Sequence, residues 1–522
     1  MRADYDAILI GAGHNTLACA LHLAVRGWTV GVFETAGVPG GAVKSGAYTL
    51  PGFRHDWAAM NLSLFAGSAF MKQHGTELGL HGLSLLPVSH PFASVFPDGR
   101  WCGVSTDLAE TTARIAGFSK ADAASWGLLL ADFPDRTETI FGLLGSPMRA
   151  RPLISFMFKT LRKRGLAGSA DMARFLLQTP RQWLTETFES PQIRAMLGAW
   201  GMHLDYGPDV AGGGLFPYLE GMAGQAFGMA LGRGGADTII TALVAAIRAR
   251  RGVVECGTAV SRILQRGGKA TGIELADGRI VHAKNAVIAG TSPSALTRLT
   301  GGTTPKFDGA MARFAHAPGT MMIHLALDSL PDWAAGDDLK RFAYVHIAPS
   351  LDQMARTYQQ AQAGLLPDAP ILVVGQPTAV DPTRAPPGKH TLWLQVRMAP
   401  GTILGDAKGE ITATNWADAA TPFANRALDI LDAHAPGIRA KILGQRIVTP
   451  MDLQADNANL VGGDQLCGSH HLSQHFLFRP TYGHADGSTP IAGLHLTGAA
   501  VWPGAGTGAG PGYLLARHLA GN

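Results

Sequence analysis

Residues 5–34 contain the pattern that most restricts how this chain can fold. The apolar run Ala7-Ile8-Leu9-Ile10 is typical of a strand buried on both faces of a parallel sheet. Gly11-Ala12-Gly13 follows directly, and apolar residues at helical spacing continue to a second apolar run at residues 29–33. Glu34 ends that second run. The order of strand, glycine turn, helix, strand and acid predicts a βαβ unit of an α/β fold.

Each part of this unit suits the binding of a dinucleotide. Gly11 permits a tight turn, and Gly13 lets backbone amides at the helix N-terminus approach a pyrophosphate. Glu34 stands 21 residues after Gly13 and can accept hydrogen bonds from ribose hydroxyls. The third glycine position of the motif holds Thr16, so we expect a slight shift of the helix with binding preserved. A plain βαβ unit with chance glycines is disfavoured, because order and spacing agree throughout.

Length and composition exclude several classes of protein. A chain of 522 residues is long enough for two or more units that each bury a core. Hydrophobic residues make up 46% of it and charged residues 16%, which excludes intrinsic disorder. The formal net charge of +4 is small for this length, so we expect no nucleic-acid partner.

The cysteines and the apolar runs bear on the cellular compartment. The four cysteines lie far apart without a C-x-x-C pair, which disfavours a redox dithiol and a thiolate zinc site. The sequence starts with Arg2, Asp4 and Asp6 and a short apolar run, whereas a signal peptide has a basic start and a longer apolar stretch. No apolar run reaches the length of a membrane-spanning helix. We therefore expect buried thiols and a cytoplasmic protein.

Two further motifs carry a resemblance to a known family. The pair Gly40-Gly41 stands shortly after Glu34, and Leu50-Pro51-Gly52-Phe53-Arg54-His55-Asp56 follows it. With the βαβ unit, these motifs resemble the start of phytoene desaturase-like FAD oxidoreductases, the bacterial carotenoid desaturases and their relatives. In that family the glycine pair approaches the flavin side of FAD, which a simple NAD domain does not need. Thr35 stands where the family usually has an arginine, which affects one phosphate or ribose contact.

The C-terminal region carries a second glycine signature that the resemblance assigns to the same FAD. A predicted strand at residues 494–499 precedes the glycine-rich loop at residues 502–510, and a predicted helix follows over residues 513–519. Amides exposed in such a loop suit an anionic or polar ligand. In the resembled family this loop lies against the pyrophosphate, ribityl chain and isoalloxazine. The family typically has histidine where Trp502 stands, so the residue over the flavin is expected to differ.

The resemblance implies a fold, a domain division and a set of FAD contacts. The fold is α/β, with a discontinuous Rossmann-like FAD-binding domain of the glutathione-reductase-like type and an inserted α+β substrate domain. The FAD domain is expected at residues 1–90, 232–300 and 488–522, and the substrate domain, with helical and mixed-sheet parts, at residues 91–231 and 301–487. The expected FAD-binding residues are Gly11, Gly13, His14, Asn15, Glu34, Gly40, Gly41, Ala42, Val260, Gly498, Gly506, Thr507 and Gly508.

Residues 149–164 form a basic amphipathic stretch. Six basic residues stand among apolar ones there, with no acid between them. This composition is typical of a helix that lies on an anionic membrane surface, here the inner face of the cell membrane. The alternative is the solvated basic face of an ordinary helix. Membrane contact makes sense if the substrate partitions into lipid.

The sequence assigns no catalytic residue. His203 and Trp502 are the only candidates, and catalysis in this flavin class relies mainly on the cofactor. The histidines at 470, 471, 475 and 484 lack the spacing and acids of a metal site, so no metal is expected. No nucleophile elbow is present, so hydrolase chemistry has no support.

The resemblance implies an FAD-dependent oxidoreductase that acts on an apolar, polyene- or lipid-like small molecule. Hydride transfer at flavin N5 would desaturate, saturate or isomerise it. No second complete dinucleotide unit is visible, so oxygen or a quinone is the expected electron acceptor. Three alternatives remain: a flavin amine oxidase on the same fold, a non-redox isoprenoid- or lipid-binding protein, and a simple NAD dehydrogenase. The intact glycine sets and Glu34 argue against the second, and the two later glycine signatures argue against the third.

Overall fold

The computed structural model of the protein describes residues 3–521. Its helices are α1 (His14–Val25), α2 (Ser63–Ala66), α3 (Ala69–Leu80), α4 (Leu108–Ala116), α5 (Lys120–Leu144), α6 (Ala150–Leu177), α7 (Pro180–Thr187), α8 (Pro191–Met202), α9 (Leu215–Phe227), α10 (Thr238–Ala249), α11 (Pro293–Thr300), α12 (Pro305–Ala312), α13 (Leu351–Gln362), α14 (Trp416–His434), α15 (Pro450–Asp456) and α16 (Gly510–Ala520). Its strands are β1 (Tyr5–Ile10), β2 (Val30–Phe33), β3 (Ser45–Gly46), β4 (His55–Asp56), β5 (Leu85–Val88), β6 (Phe92–Val95), β7 (Trp101–Val104), β8 (Met229–Gly232), β9 (Val253–Glu255), β10 (Val260–Arg266), β11 (Lys269–Leu275), β12 (Ile280–Ala289), β13 (Gly319–Leu327), β14 (Tyr344–Ile347), β15 (Leu365–Leu366), β16 (Leu372–Gly375), β17 (His390–Ala399), β18 (Gly405–Asp406), β19 (Ile442–Val448) and β20 (Leu494–Leu496).

The first sheet contains the βαβ unit at its centre. Its strand order is β10-β11-β12-β1-β2-β9, and β20 pairs with β12. β1 runs parallel to both β12 and β2, so its side chains are covered on both faces. Ala7 and Leu9 pack with helices α1, α10 and α16, whereas Ile8 and Ile10 pack with β10, β11 and β20. This arrangement explains why residues 7–10 form an unbroken apolar run.

The second sheet has the order β19-β13-β17-β16-β14-β6-β7. Its strands are antiparallel except where β14 runs parallel to β6. On β17, Leu392, Leu394 and Val396 point to one face, where they pack in a core with α14. The alternating residues, among them Gln395 and Arg397, point to the opposite face, over which the helices α7, α8 and α9 lie.

Two long helices, α5 and α6, follow β6, β7 and α4 in the chain. They span 25 and 28 residues. Gly165 has φ 66° and ψ −177° inside α6 and breaks its regular backbone. A glycine adopts this conformation without the steric cost of a side chain.

The α/β class predicted from the sequence is confirmed by the two mixed sheets and their helices. The strands of the first sheet come from residues 5–33, 253–289 and 494–496, which fall within the three segments proposed for the FAD domain. Among the residues that the structure describes, no helix is both long and apolar enough to cross a membrane.

Candidate functional site

The turn between β1 and α1 has the geometry that anion binding requires. Gly11 has φ +88° and its amide donates to the Phe33 carbonyl at 2.7 Å, which ties the turn to β2. Gly13 is the N-cap of α1, and no side chain caps the first-turn amides of that helix. A Cβ built on Gly13 would meet no atom within 4 Å, so this side of the turn is open. The free amides and the helix dipole therefore face a space that can hold a pyrophosphate.

Thr16 replaces the third glycine of the motif, and the structure explains how it fits. Its hydroxyl faces Gly290, the residue directly after β12, where a Cβ would overlap Thr16 Oγ1. The glycine that allows close packing thus lies on the neighbouring strand end and not in the motif itself. The pairing of β1 with β12 and β2 is preserved.

Glu34 fixes the loop that follows β2. Its Oε2 accepts the Ala12 amide at 2.6 Å and its Oε1 accepts the Ala36 amide at 2.8 Å. Each carboxylate oxygen keeps acceptor capacity beyond these bonds. Glu34 can therefore hold both neighbouring turns and still accept a ribose hydroxyl.

The glycine pair at 40–41 packs directly onto the first turn. The Gly40 amide donates to the Ala12 carbonyl at 2.9 Å, and Gly40 forms an isolated β-bridge with Gly13. Gly40 has φ +125°, and a Cβ on it would overlap the Val43 carbonyl oxygen. A side chain at this position would therefore distort the turn formed by residues 40–43.

The C-terminal glycine loop completes the same site. His14 Nε2 lies 3.3 Å from the Gly506 carbonyl oxygen, and the Ala505 amide donates to His470 Nε2 at 3.0 Å. Burial lowers the pKa of His14 to about 4, so the ring is neutral at pH 7. At the start of α16, a Cβ on Gly512 would overlap the Asn15 carbonyl oxygen. The two glycine signatures are therefore in contact.

These segments line a cavity of about 770 Å³. Most of the predicted FAD-binding residues line it, and Gly508 lies outside its lining. The residues from the prediction that line the cavity are Gly11, Gly13, His14, Asn15, Glu34, Gly40, Gly41, Ala42, Val260, Gly498, Gly506 and Thr507. His203, one of the two catalytic candidates, also lines it.

Trp502, the other catalytic candidate, is turned away from this cavity. Its indole is buried beside Phe476, with the ring centroids 5.1 Å apart, and its Nε1 donates to the Ser146 carbonyl at 3.0 Å. The side chain thus packs against the connection between α5 and α6. Unlike His203, Trp502 therefore does not line the cavity.

Two of the four clustered histidines of the C-terminal region are packed in the interior of the protein. His470 and His475 are buried with ring centroids 5.1 Å apart, and burial holds the pKa of each far below its ordinary value. In the described part of the chain, no three His, Cys, Asp or Glu side chains are grouped to hold a metal ion.

The cavity continues beyond the glycine turns to the inner face of the second sheet. Trp200, Leu204, Tyr344 and Leu466 line this part and cover it with apolar surface. We refer to this part as the substrate chamber, and its polar lining comprises His203, Glu220, Gln395, Arg397 and Gln465.

The ionisable groups of the substrate chamber have shifted pKa values. Burial raises the pKa of the Glu220 carboxyl to about 7 and lowers the pKa of the Arg397 guanidinium to about 10. His203 Nε2 lies 3.2 Å from His346 Nε2. Burial lowers the pKa of His346 to about 3 and that of His203 well below 6.5, so both rings are neutral. Near pH 7, Glu220 can exchange a proton and Arg397 carries a charge.

Sequence reasoning missed Glu220, Arg397 and Arg298. Glu220 is the single charged residue of the apolar helix α9, and Arg397 follows the two-residue period of β17. Each pattern marks a charged residue among apolar neighbours, but neither shows that the residue faces a cavity. Arg298 lines the cavity from α11, which packs against β10. It supplies a basic side chain to a cavity in which Thr35 occupies the position of the family's usual arginine.

Comparison with known proteins places this geometry in a family. The sequence profile described as flavin containing amine oxidoreductase matches residues 17–411. The chain belongs to this family. FAD is its cofactor, the protein is an FAD-dependent oxidoreductase, and the resemblance to phytoene desaturase-like enzymes is confirmed. The open turn at Gly13, the uncapped amides of α1 and the glycine contacts fit such a dinucleotide.

Individual relatives align over nearly the whole chain. The mouse pyridine nucleotide-disulfide oxidoreductase domain-containing protein 2 is 28% identical, covering 97% of this chain and 91% of its own length. The neurosporene-forming phytoene desaturase of Cereibacter sphaeroides is 25% identical, covering 97% of this chain and 92% of its own length.

A solved structure shares the fold. An oxidoreductase from Methanosarcina mazei superposes with a TM-score of 0.62 at 19% identity, covering 98% of this chain and 99% of its own.

Proposed function

We propose that the protein oxidises, saturates or isomerises an apolar, polyene- or lipid-like molecule by hydride transfer at flavin N5. The observation that carries this proposal is the continuity of the cavity from the glycine turns to the substrate chamber. Relatives at 24–25% identity over at least nine-tenths of this chain are named as phytoene desaturases and as part of the limonene dehydrogenase of Castellaniella defragrans. Phytoene and limonene are both isoprenoid hydrocarbons, which favours an apolar substrate here.

The residues of the glycine turns divide the work of holding FAD. The amides after Gly13 bind the pyrophosphate, Glu34 accepts from the ribose and the backbone of Val260 contacts the adenine. The loop that contains Gly506 and Thr507 borders the flavin. When bound, FAD supplies the hydride acceptor or donor. This assignment is supported by the shared lining of one cavity.

In the substrate chamber the protein's own groups orient the substrate and exclude water. Trp200, Tyr344 and Leu466 supply apolar walls, which hold a C–H bond in place. His203 is neutral, so it serves as a wall and not as a charged acid. Glu220 is the group that can take up or release a proton near pH 7. Oxygen or a quinone remains the proposed electron acceptor.

A flavin amine oxidase is the second candidate function, and one observation favours it. Trp200 and Tyr344 line the chamber with ring centroids 6.1 Å apart, and the carboxyl of Glu220 lies in the same chamber. Two aromatic faces and a carboxylate suit an amine cation. A cyclohexylamine oxidase from Brevibacterium oxydans shares the fold, with a TM-score of 0.59 at 18% identity, covering 99% of each chain.

Anaerobic mixing separates these functions. The FAD-loaded protein is mixed with phytoene or limonene in one series and with putrescine or cyclohexylamine in another, and the flavin band near about 450 nm is followed. Bleaching by the hydrocarbons alone supports the proposal. Bleaching by the amines alone overturns it in favour of an amine oxidase.

We further propose that α6 contacts an anionic membrane surface. Ile154, Met157, Phe158 and Leu161 recur at helical spacing and are each between 41% and 65% exposed. Arg151, Lys159 and Arg162 are exposed on the same helix and form no ion pair within residues 3–521. An exposed apolar stripe with unpaired basic residues suits the interface of a bilayer.

A further inference from the structure

The substrate chamber is bordered by a bulge at the end of β17, directly after Arg397. β13 pairs Gly319 with Ala399 and Thr320 with Arg397, so Met398 is an extra residue between two ladder pairs. Met398 has φ +61°, a left-handed conformation that is costly for a residue with a side chain. Such bulges re-aim side chains and are common beside active sites. Here the bulge lets Arg397 and Met398 both face away from the α14 side of the sheet.

Arg397 is buried without a counter-charge. Only 4% of its surface is exposed, and within the described residues no carboxylate forms an ion pair with it. Its three hydrogen bonds go to neutral oxygens: the Thr320 hydroxyl at 3.0 Å and the carbonyls of Met202 and His203 at 3.1 and 2.7 Å. Its Nε–H has no partner. Three bonds leave two of the five guanidinium N–H groups uncommitted.

The two carboxylates whose charges act on Arg397, those of Asp205 and Asp464, form their hydrogen bonds with other groups. Asp205 accepts from the Ser469 hydroxyl and from the Tyr358 hydroxyl at 2.9 Å. Asp464 accepts from backbone amides, among them those of Ala317 and Gly468. Neither carboxylate is within ion-pairing distance of Arg397.

Three other buried arginines have either a carboxylate partner or a hydrogen bond from every guanidinium nitrogen. Arg384 pairs with Asp56 and Asp381, and Arg426 pairs with Asp406 at 2.6 Å. Arg479 also lacks a carboxylate, but it donates from Nε and from both terminal nitrogens to backbone carbonyls. An unpaired buried charge is costly, and Arg397 is the one among these four that lines the cavity.

From this geometry we infer that Arg397 binds a carboxylate of the substrate, which is therefore an amphipathic acid with an apolar body. The inference rests on the proposed function and names the substrate class within it. A carboxylate accepts the uncommitted guanidinium donors in charge-assisted hydrogen bonds. The apolar walls at Trp200, Leu204 and Leu466 enclose the rest of the molecule. Arg397 then fixes which carbon of the apolar body faces the flavin.

Equilibrium binding to the FAD-loaded protein tests this inference without turnover. Isothermal titration calorimetry is run with decanoate, decan-1-ol and decylamine, which differ in their end group. We expect decanoate to bind about tenfold or more tightly than decan-1-ol. Arg397→Gln is expected to weaken decanoate by about tenfold to a hundredfold and to leave decan-1-ol within about twofold.

Arg397 also donates to two carbonyls at the C-terminus of α8, so a purely structural role needs its own control. Loss of those bonds would weaken all three probes alike, whereas loss of a carboxylate site changes the ratio of decanoate to decan-1-ol. Arg426→Gln removes an equally buried arginine outside the cavity and is expected to leave that ratio unchanged. If Arg397→Gln fails to fold, Arg397→Lys replaces it, with an intermediate ratio expected.

Several results would overturn the inference. The protein could fail to bind decanoate, or could bind decanoate and decan-1-ol with equal affinity. The preference for decanoate over decan-1-ol could persist in Arg397→Gln, or that variant could lose its FAD. Preferential binding of decylamine, abolished by Glu220→Gln, would also overturn it.

The inference and the proposed function can fail separately. If decanoate binding depends on Arg397 but no hydrocarbon, acid or amine bleaches the flavin, the inference stands and the proposed function is refuted. Bleaching by phytoene without decanoate binding would do the reverse.

Discussion

His14 Nε2 and the carbonyl oxygen of Gly506 lie 3.3 Å apart, although 492 residues separate them in sequence. This contact joins the N-terminal helix to the C-terminal glycine loop. The proposed FAD site is therefore built from both ends of the chain, and substitutions at either end are expected to affect the same ligand.

Gly13→Val is expected to strip FAD from the protein. The new side chain would extend into the open space beside the α1 amides, where it blocks the approach of the pyrophosphate. The ratio of flavin absorbance to protein absorbance after desalting measures the effect. Gly127→Val is the control, because its Cβ also meets no atom within 4 Å but α5 lies outside the cavity. Full flavin content in Gly13→Val would refute the assigned turn.

Glu34→Gln is expected to weaken FAD binding by about tenfold or more, since it replaces a charged acceptor of the ribose and of two amides. Glu34→Ala should weaken it further, because the loop loses both amide contacts. Quenching of FAD fluorescence by the apo-protein gives the dissociation constants. Glu255→Gln alters the end of the neighbouring strand β9 outside the cavity and should leave them unchanged. Unaltered affinity in both Glu34 variants would remove this residue from the site.

Gly290→Ala is expected to destabilise the protein by about 1–3 kcal/mol, because the added methyl overlaps Thr16 Oγ1. The double variant with Thr16→Gly should recover part of the loss. Recovery is partial because the methyl also lies 2.9 Å from the Ile10 carbonyl oxygen. Denaturant unfolding of the two single variants and the double variant measures the coupling. Additive effects would show that the two positions do not contact each other.

Glu220 is expected to make the folded protein lose stability as pH rises. Burial raises the pKa of its carboxyl from about 4.5 to about 7, so the folded state keeps this proton after the unfolded state has released it. The contribution is present below about pH 4.5 and is lost as pH rises to about 7. The Tm of Glu220→Gln, relative to the parent, should therefore be higher at pH 8 than at pH 5. A pH-independent difference in Tm would contradict the raised pKa.

Replacing Arg151, Lys159 and Arg162 by glutamine is expected to reduce pelleting with vesicles of phosphatidylglycerol and phosphatidylcholine. Of the basic side chains of α6, these three form no ion pair with any residue that the structure describes. Lys163 and Arg164 instead pair with Asp135 of α5 at 2.8 and 2.7 Å, so their replacement should have less effect on pelleting. Pelleting that is absent in the parent, or insensitive to salt, would favour a solvated helix face.

Local patterns in the sequence predicted those parts of the site that are formed by residues close together in the chain. The turn at Gly11 and Gly13 and the strand at residues 7–10 follow from such patterns. The ion pairs of the basic stretch could not be predicted in this way, because Asp135 pairs with Lys163 and Arg164 from another helix. Trp502 faces Ser146 for the same kind of reason, since its orientation depends on packing against a distant segment.

The substrate chamber lay beyond sequence reasoning because it is assembled from distant segments. Glu220 comes from α9 and Arg397 from β17, and their charge is significant only because the fold buries them in one cavity. The bulge at Met398 depends on pairing with β13, which no local pattern encodes. Thr16 likewise fits because Gly290, a residue far along the chain, lacks a side chain.

The visible absorption spectrum of the purified protein, recorded after FAD is added and the excess removed, tests the central claim most directly. We expect flavin bands near about 375 and 450 nm that stay with the protein. A spectrum without these bands, from a protein that is folded, would contradict the assignment of the joined glycine turns as an FAD site.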